Sequence, residues 1–261
     1  MQIIDSIILG LVQGITEFIP VSSSGHLLVV GHWLNFRYSG LAFDTALDLG
    51  TLMALLLFFA KDFVAIIHDV LIGGPQRRLG WLIIAATVPG VVIGIIIQHA
   101  AETIFRSTTL VAFNLIWVGI LMWGIDRWSK SNVHISGINL PKALTVGVAQ
   151  ALALVPGVSR SGITISASRM LGLDRVSATK FSFLMSAPII AGATAKVLLT
   201  GTALTEMSAN PSYFVMGILA AFISGYLAIK FMLSYLSRHG LAVFAWYRVA
   251  FGVLILVVGI K

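Results

Sequence analysis

Gln13 and Glu17 stand four residues apart in an apolar stretch, which puts an amide and a carboxylate on one helix face, one turn apart. A carboxylate is costly in apolar surroundings, so Glu17 must face a wet or paired interior. The alternative to chemistry there is an ion pair that fixes packing, for instance with Arg160. Just beyond, Pro20-Val21-Ser22-Ser23-Ser24-Gly25-His26 gathers three hydroxyls and an imidazole. Such a set suits a nucleophile and its base, and it equally suits a helix cap followed by a buried histidine.

A second segment, Pro156-Gly157-Val158-Ser159-Arg160-Ser161-Gly162-Ile163-Thr164, is the sharper signal. Arginine stays charged and presents a planar fork of donors that fits phosphate oxygens in pairs. Flanked by Ser159, Ser161, Thr164 and loop amides, Arg160 reads as part of a phosphate cradle, against the plainer reading of a snorkelling arginine. Asp44 and Asp48, again four apart, could bind a cation, share a proton or sit at an interface. Lys196 and Arg248 read as snorkelling or paired. His32, His68, His99, His134 and His239 show no ligand spacing and read as interfacial.

The two segments read as copies of one another. At an offset of 137 (147 − 10), Gly10, Gln13, Val21, Ser22, Ser24 and Gly25 meet identical residues at Gly147, Gln150, Val158, Ser159, Ser161 and Gly162. Ser23 then meets Arg160, Glu17 meets Leu154, and His26 meets Ile163, so the loops look like two halves of a single site. Pro20 and Pro156 lack an N–H and should end the helices before them. The next helices are expected to start near Ser24 and Ser161, with hydroxyls capping them and free amides pointing into the loops. Two helix N-termini facing each other inside a bilayer make a strong anion site.

The elements that position these loops must be membrane helices. Of 261 residues, 58% are hydrophobic and 10% charged, with a mean hydropathy of +0.98, where a soluble domain carries roughly 25% charged residues. Apolar runs at Leu41 to Ala60, Trp81 to Gln98, Leu110 to Ile125, Phe181 to Leu199, Tyr213 to Leu236 and Val243 to Ile260 approach the length of a span. The stretch from Ile3 to Pro20 has no basic start and carries Asp5 and Glu17, so it reads as mature structure rather than a signal peptide. The absence of cysteine excludes disulfide and thiolate chemistry. The net charge of +7 comes without a basic stripe, so the lysines and arginines set topology and no nucleic-acid partner is expected.

Basic residues concentrate in the connections from Lys61 to Arg78, at Arg127, Lys130 and Lys142, and at Arg238, which places those connections in the cytoplasm. Arg106 alone marks the connection from Gln98 to Ser107. The spans then alternate only if residues 1–40 and 141–175 each enter the membrane and return, one region from outside and one from the cytoplasm. The fold expected is an all-α polytopic membrane protein, one domain over 1–261, with about six transmembrane helices and two re-entrant helical hairpins. Its halves, about 1–130 and 138–261, form an inverted-topology internal repeat. Gly90 and Gly94 let helices approach closely, within one chain or between two, so a homodimer is one reading.

The segments Gln13 to Leu27 and Pro156 to Thr164 resemble the two signature motifs of the bacterial undecaprenyl-diphosphate phosphatases, also called bacitracin-resistance proteins. The likeness extends to Phe181-Ser182-Phe183, Ser224-Gly225-Tyr226-Leu227-Ala228 and Tyr247-Arg248. It implies a multi-pass enzyme of the bacterial cytoplasmic (inner) membrane. Such an enzyme hydrolyses a polyprenyl diphosphate to the monophosphate and inorganic phosphate, and so recycles the lipid carrier of cell-wall synthesis. It also implies a divalent cation, Mg2+ or Ca2+, held by Glu17 with Gln13, and contact with membrane lipids. Carried over by position, Ser23 is the candidate nucleophile, His26 its base or the donor to the leaving oxygen, and Arg160 the phosphate clamp. Ser22, Ser24, Ser159, Ser161 and Thr164 would line the substrate, and direct attack by water stays open. The family often has glutamate where this chain has Gln13; an amide is neither base nor anionic ligand, so Glu17 must carry more of that work.

A transporter or flippase of a lipid phosphate or small anion could use the same inverted repeat. A carrier has no need of Ser23, His26 and Glu17 together, whereas a hydrolase does.

Overall fold

In hydrocarbon every backbone N–H and C=O must be satisfied within its own segment, and the apolar runs accordingly fold as helices. The computed structural model describes residues 2–34, 40–103, 107–129, 133–199 and 202–259; Arg106 and Lys130, used in counting loop charge, lie outside them. The order is α1 (Gln2–Phe18), α2 (Ser23–Leu34), α3 (Leu41–Phe58), α4 (Ala60–Ile72), α5 (Arg77–Thr103), α6 (Thr108–Trp128), α7 (Leu140–Leu152), α8 (Arg160–Met170), α9 (Arg175–Leu199), α10 (Thr202–Ala209), α11 (Pro211–Leu236) and α12 (Ala242–Val258). The protein is an all-α polytopic membrane protein.

Among the described residues, α5, α6, α9 and α11 are each long and apolar enough to cross a membrane. The pair α3 and α4, bent by 76° at Phe59, meets the same standard only when taken together, as a broken span or a re-entrant loop. The apolar α12 has 17 residues, at the short end of what spans. Outward-facing Val64, Leu71, Ile95, Ile96 and Val257 are more than two-thirds exposed, an apolar surface suited to lipid rather than water.

The pairs α1/α2 and α7/α8 are broken near Pro20 and Pro156, as the missing N–H groups require. Packing follows an exchange of halves. Helix α1 lies on α11 as α7 lies on α5, α3 meets α11 as α9 meets α5, and α3–α9 and α6–α12 pair across the centre. Small residues permit these approaches. A Cβ on Gly10 would stand 2.3 Å from the Gly217 carbonyl oxygen, and one on the equivalent Gly147 would stand 2.2 Å from that of Ala86. Gly90 and Gly94 face Ile189, Gln150 and Leu154 of their own chain, so their spacing serves packing within the subunit.

Two anchors hold the hairpins. Phe18 is fully buried and packs edge-on against Phe183 of α9 at 5.3 Å, fixing the end of α1 beside Glu17. At the far end of α8, buried Arg169 donates to Asp126 of α6 at 3.1 Å, and Asp126 also accepts from Arg175 and from the Leu241 amide. That carboxylate ties together α6, α8, α9 and the start of α12.

Candidate active site

Ser22 and Ser159, equivalent under the offset of 137, both take left-handed backbone, with φ of 76° and 71°. For a residue with a Cβ that conformation costs on the order of 1–3 kcal/mol, and such strain collects at functional sites. Its local effect is to start a helix at the next residue. Ser23 opens α2 and Arg160 opens α8, one residue earlier than the sequence suggests. The cap of α8 is Ser159, whose Oγ accepts from the Gly162 amide at 3.2 Å, rather than Ser161. Ser23 and Arg160, which occupy equivalent positions in the two copies, are therefore the first residues of two helices whose opening amides lack helical acceptors.

They meet at Glu17. Ser23 Oγ donates to Glu17 Oε2 at 2.6 Å, and Arg160 Nη2 pairs with Glu17 Oε1. The carboxylate and guanidinium side chains are 10% and 15% exposed, so the pair is buried yet open at one edge. Gln13 Nε2 donates to Glu17 Oε2 at 3.0 Å and to Asp48 Oδ1 of α3 at 2.7 Å. Two carboxylate acceptors fix which end of this amide is nitrogen, and leave Gln13 Oε1 buried without a hydrogen-bond partner. The loops are also joined by the Gly157 amide donating to Ser24 Oγ at 3.3 Å and by Ser161 Oγ donating to the Glu17 carbonyl at 3.2 Å.

Other sequence candidates are placed differently. His26 makes no hydrogen bond to Ser23. Its Nδ1 lies 2.8 Å from the Ser22 carbonyl and its Nε2 lies 2.7 Å from the Tyr247 hydroxyl, while the ring stacks on Phe251 at 4.3 Å. A carbonyl only accepts, so Nδ1 carries a proton and Nε2 of the neutral ring accepts from Tyr247. Thr164 is fully buried, with its hydroxyl within reach of the Arg160 carbonyl at 2.7 Å and Ser182 Oγ at 2.6 Å; it braces α8 against α9 rather than facing open space. Ser22 Oγ pairs with exposed Ser24, and Ser159 Oγ with Ser161, in the same i, i+2 relation.

Asp48, for which the sequence left cation binding, proton sharing and an interfacial place open, joins the site through Gln13, as do Ser182 through Thr164, Tyr247 through His26, and Arg248. Arg248, read from sequence as snorkelling or paired, is 0% exposed. Its guanidinium donates to the carbonyls of Pro20 (3.2 Å), Gly157 (2.8 Å) and Val158 (2.9 Å). Pro20 and Gly157 are themselves equivalent positions, so one buried arginine ties both loops at corresponding carbonyls. Gln150, the counterpart of Gln13, is buried with neither amide atom bonded, and Leu154 stands where Glu17 would. The carboxylates come from the first copy and the pairing guanidinium of Arg160 from the second.

Among the described residues no group of three or more His, Cys, Asp or Glu side chains could hold a metal. Two carboxylates and one orphaned amide oxygen nonetheless suit a hard divalent cation, which takes one or two carboxylates and completes its shell with water or phosphate oxygens. Arg160 beside first-turn amides supplies the complementary anion-binding half.

Residues 6–254 match the family described as Bacitracin resistance protein BacA. The chain is 42% identical over 261 residues to an undecaprenyl-diphosphatase of Moorella thermoacetica, covering 99% of this chain and 98% of that one. It is 43% identical over 267 residues to one of Rubrobacter xylanophilus, covering 98% and 97% respectively. A third undecaprenyl-diphosphatase, from Desulforudis audaxviator, is 39% identical over 263 residues, covering 100% of this chain and 99% of the relative.

Proposed function

The chain belongs to the bacitracin resistance protein BacA family, and on that premise we propose that it is an integral-membrane phosphatase that hydrolyses undecaprenyl diphosphate to the monophosphate and inorganic phosphate. The product is the lipid carrier returned to use in cell-wall synthesis, which sites the enzyme in the bacterial cytoplasmic membrane. The observation that carries the chemistry is the Glu17 carboxylate held between the Ser23 hydroxyl and the Arg160 guanidinium where two short helices begin.

In this reading the terminal phosphoryl group lies against Arg160 and the first-turn amides of α2 and α8, which offset its charge. Ser23 Oγ attacks the terminal phosphorus while Glu17 takes its proton, and the bond from that phosphorus to the bridging oxygen breaks, releasing the lipid monophosphate. Glu17 passes that proton to the departing monophosphate oxygen and, a carboxylate again, takes one from the water that attacks the phosphoserine, returning it to Ser23 Oγ as inorganic phosphate leaves. His26, held by Ser22 and Tyr247, positions the loop rather than taking the serine proton. Glu17, with Gln13 Oε1, would hold a divalent cation, whose chemistry is to neutralise diphosphate charge. The polyprenyl chain lies among the apolar helix surfaces in contact with lipid.

The transport reading gains nothing from this geometry, since a carrier has no use for a serine hydrogen-bonded to a carboxylate. Hydrolysis of undecaprenyl diphosphate by the purified protein in 18O-labelled water tests the proposal. The label is expected in inorganic phosphate and not in the lipid monophosphate; label in the lipid would contradict attack at the terminal phosphorus.

A further inference from the structure

Asp48 has no role in the mechanism above, yet it is built into the site. It projects from α3, and Gln13 Nε2 links it directly to Glu17, at 2.7 Å on one side and 3.0 Å on the other. Two carboxylates thus face one guanidinium, that of Arg160, which pairs with Glu17. Among the described residues no Lys, Arg or His forms an ion pair with Asp48. An excess carboxylate in apolar surroundings is costly and calls for a further positive charge.

The second observation is independent of charge. Gln13 is only 2% exposed, and its Oε1 is a buried acceptor with no donor. Nε2 of that amide is committed to both carboxylates, and Oε1, the other end of the same amide, lacks a partner that a cation or its water would provide. A proton on Asp48 would relieve the charge but would leave Oε1 orphaned.

We propose that Asp48 is a cation-binding residue of this enzyme: it supplies the second negative charge of a hard divalent-cation site completed by Glu17 and the Gln13 Oε1 atom. The inference rests on the phosphatase reading for what the cation serves, but not for its existence. Since Gln13 and Asp48 are directly hydrogen-bonded, amide and carboxylate can be exchanged between the two positions with the bond kept and its direction reversed. The charge on α3 then moves to α1 without leaving the site.

The test is titration of Mn2+ into the full-length, substrate-free protein in detergent, read by electron paramagnetic resonance, with phosphate release from undecaprenyl diphosphate measured on the same samples. Wild type should bind Mn2+, Asp48→Asn should bind it at least about tenfold more weakly, and Gln13→Glu/Asp48→Asn should recover to near wild-type affinity. Asp48→Asn binding as tightly as wild type, or an exchanged variant as weak as Asp48→Asn, overturns the assignment while wild-type hydrolysis still upholds the phosphatase. Wild type that binds no Mn2+ overturns the site. If Asp48→Asn does not fold, the exchanged variant alone decides: affinity near wild type supports the site, and loss of binding by a folded protein refutes it.

Discussion

The Ser23 hydroxyl donates a 2.6 Å hydrogen bond to the Glu17 carboxylate, across the turn that separates α1 from α2. In the proposed mechanism this pairs nucleophile and base six residues apart in sequence, with the carboxylate held from its other oxygen by Arg160. Glu17→Gln keeps the shape but removes the proton acceptor and the charge partner of Arg160. Phosphate release should fall by at least about 10²-fold for Glu17→Gln and for Ser23→Ala, measured in steady state on variants with unchanged thermal unfolding.

His26 supports the loop through bonds at both ring nitrogens, to Ser22 and Tyr247. Tyr247→Phe leaves Nε2 without its donor, a loss of about 1–3 kcal/mol. Tyr247→Phe and His26→Gln should therefore lower the unfolding temperature and the rate together, and less severely than Glu17→Gln does. A folded His26→Gln protein as inactive as Glu17→Gln would put His26 on the reacting atoms instead.

The sequence reveals Glu17, Ser23 and Arg160 because their local motifs carry polar types that an apolar helix would otherwise exclude. The repeat is legible for a related reason: one loop conformation, with its left-handed serine, recurs around Val21, Ser22, Ser24 and Gly25 and their counterparts, and close helix approach recurs at Gly10 and Gly147. The sequence leaves Asp48 open between cation binding, proton sharing and an interface, and Arg248 between snorkelling and pairing, because a charge in a span looks the same in each case. Their roles depend on α3 packing beside α1 and on Arg248 reaching the loop carbonyls from α12, which packs on α6, contacts between parts far apart in sequence. The bend at Phe59 leaves no trace because no proline or glycine marks it.

Arg248 holds the two loops by donating to the carbonyls of the equivalent residues Pro20 and Gly157. Arg248→Met should destabilise the protein by about 3 kcal/mol or more, because several carbonyls lose their donor at once. Arg248→Lys, with fewer donors, should fall between. Thermal unfolding in detergent reads both; an unfolding temperature unchanged in Arg248→Met would remove the arginine from the architecture.

Close helix approach makes its own demand. Gly147→Ala places a methyl group 2.2 Å from the Ala86 carbonyl oxygen, so α5 and α7 must separate, at a cost of about 1–3 kcal/mol. Gly192→Ala on α9 meets nothing within 4 Å and should be neutral or mildly stabilising. Unfolding temperatures that rank the two variants the other way would contradict the packing of α7 on α5.

The central claim is that Arg160 and Glu17, brought together from opposite halves of the chain, form the phosphate-cleaving site. Inorganic phosphate released from undecaprenyl diphosphate by wild type and by Arg160→Ala, purified side by side in detergent, tests it most directly. Steady release by wild type with a loss of at least about 10²-fold in a folded Arg160→Ala protein is the result predicted. A folded Arg160→Ala protein that releases phosphate at the wild-type rate would contradict it.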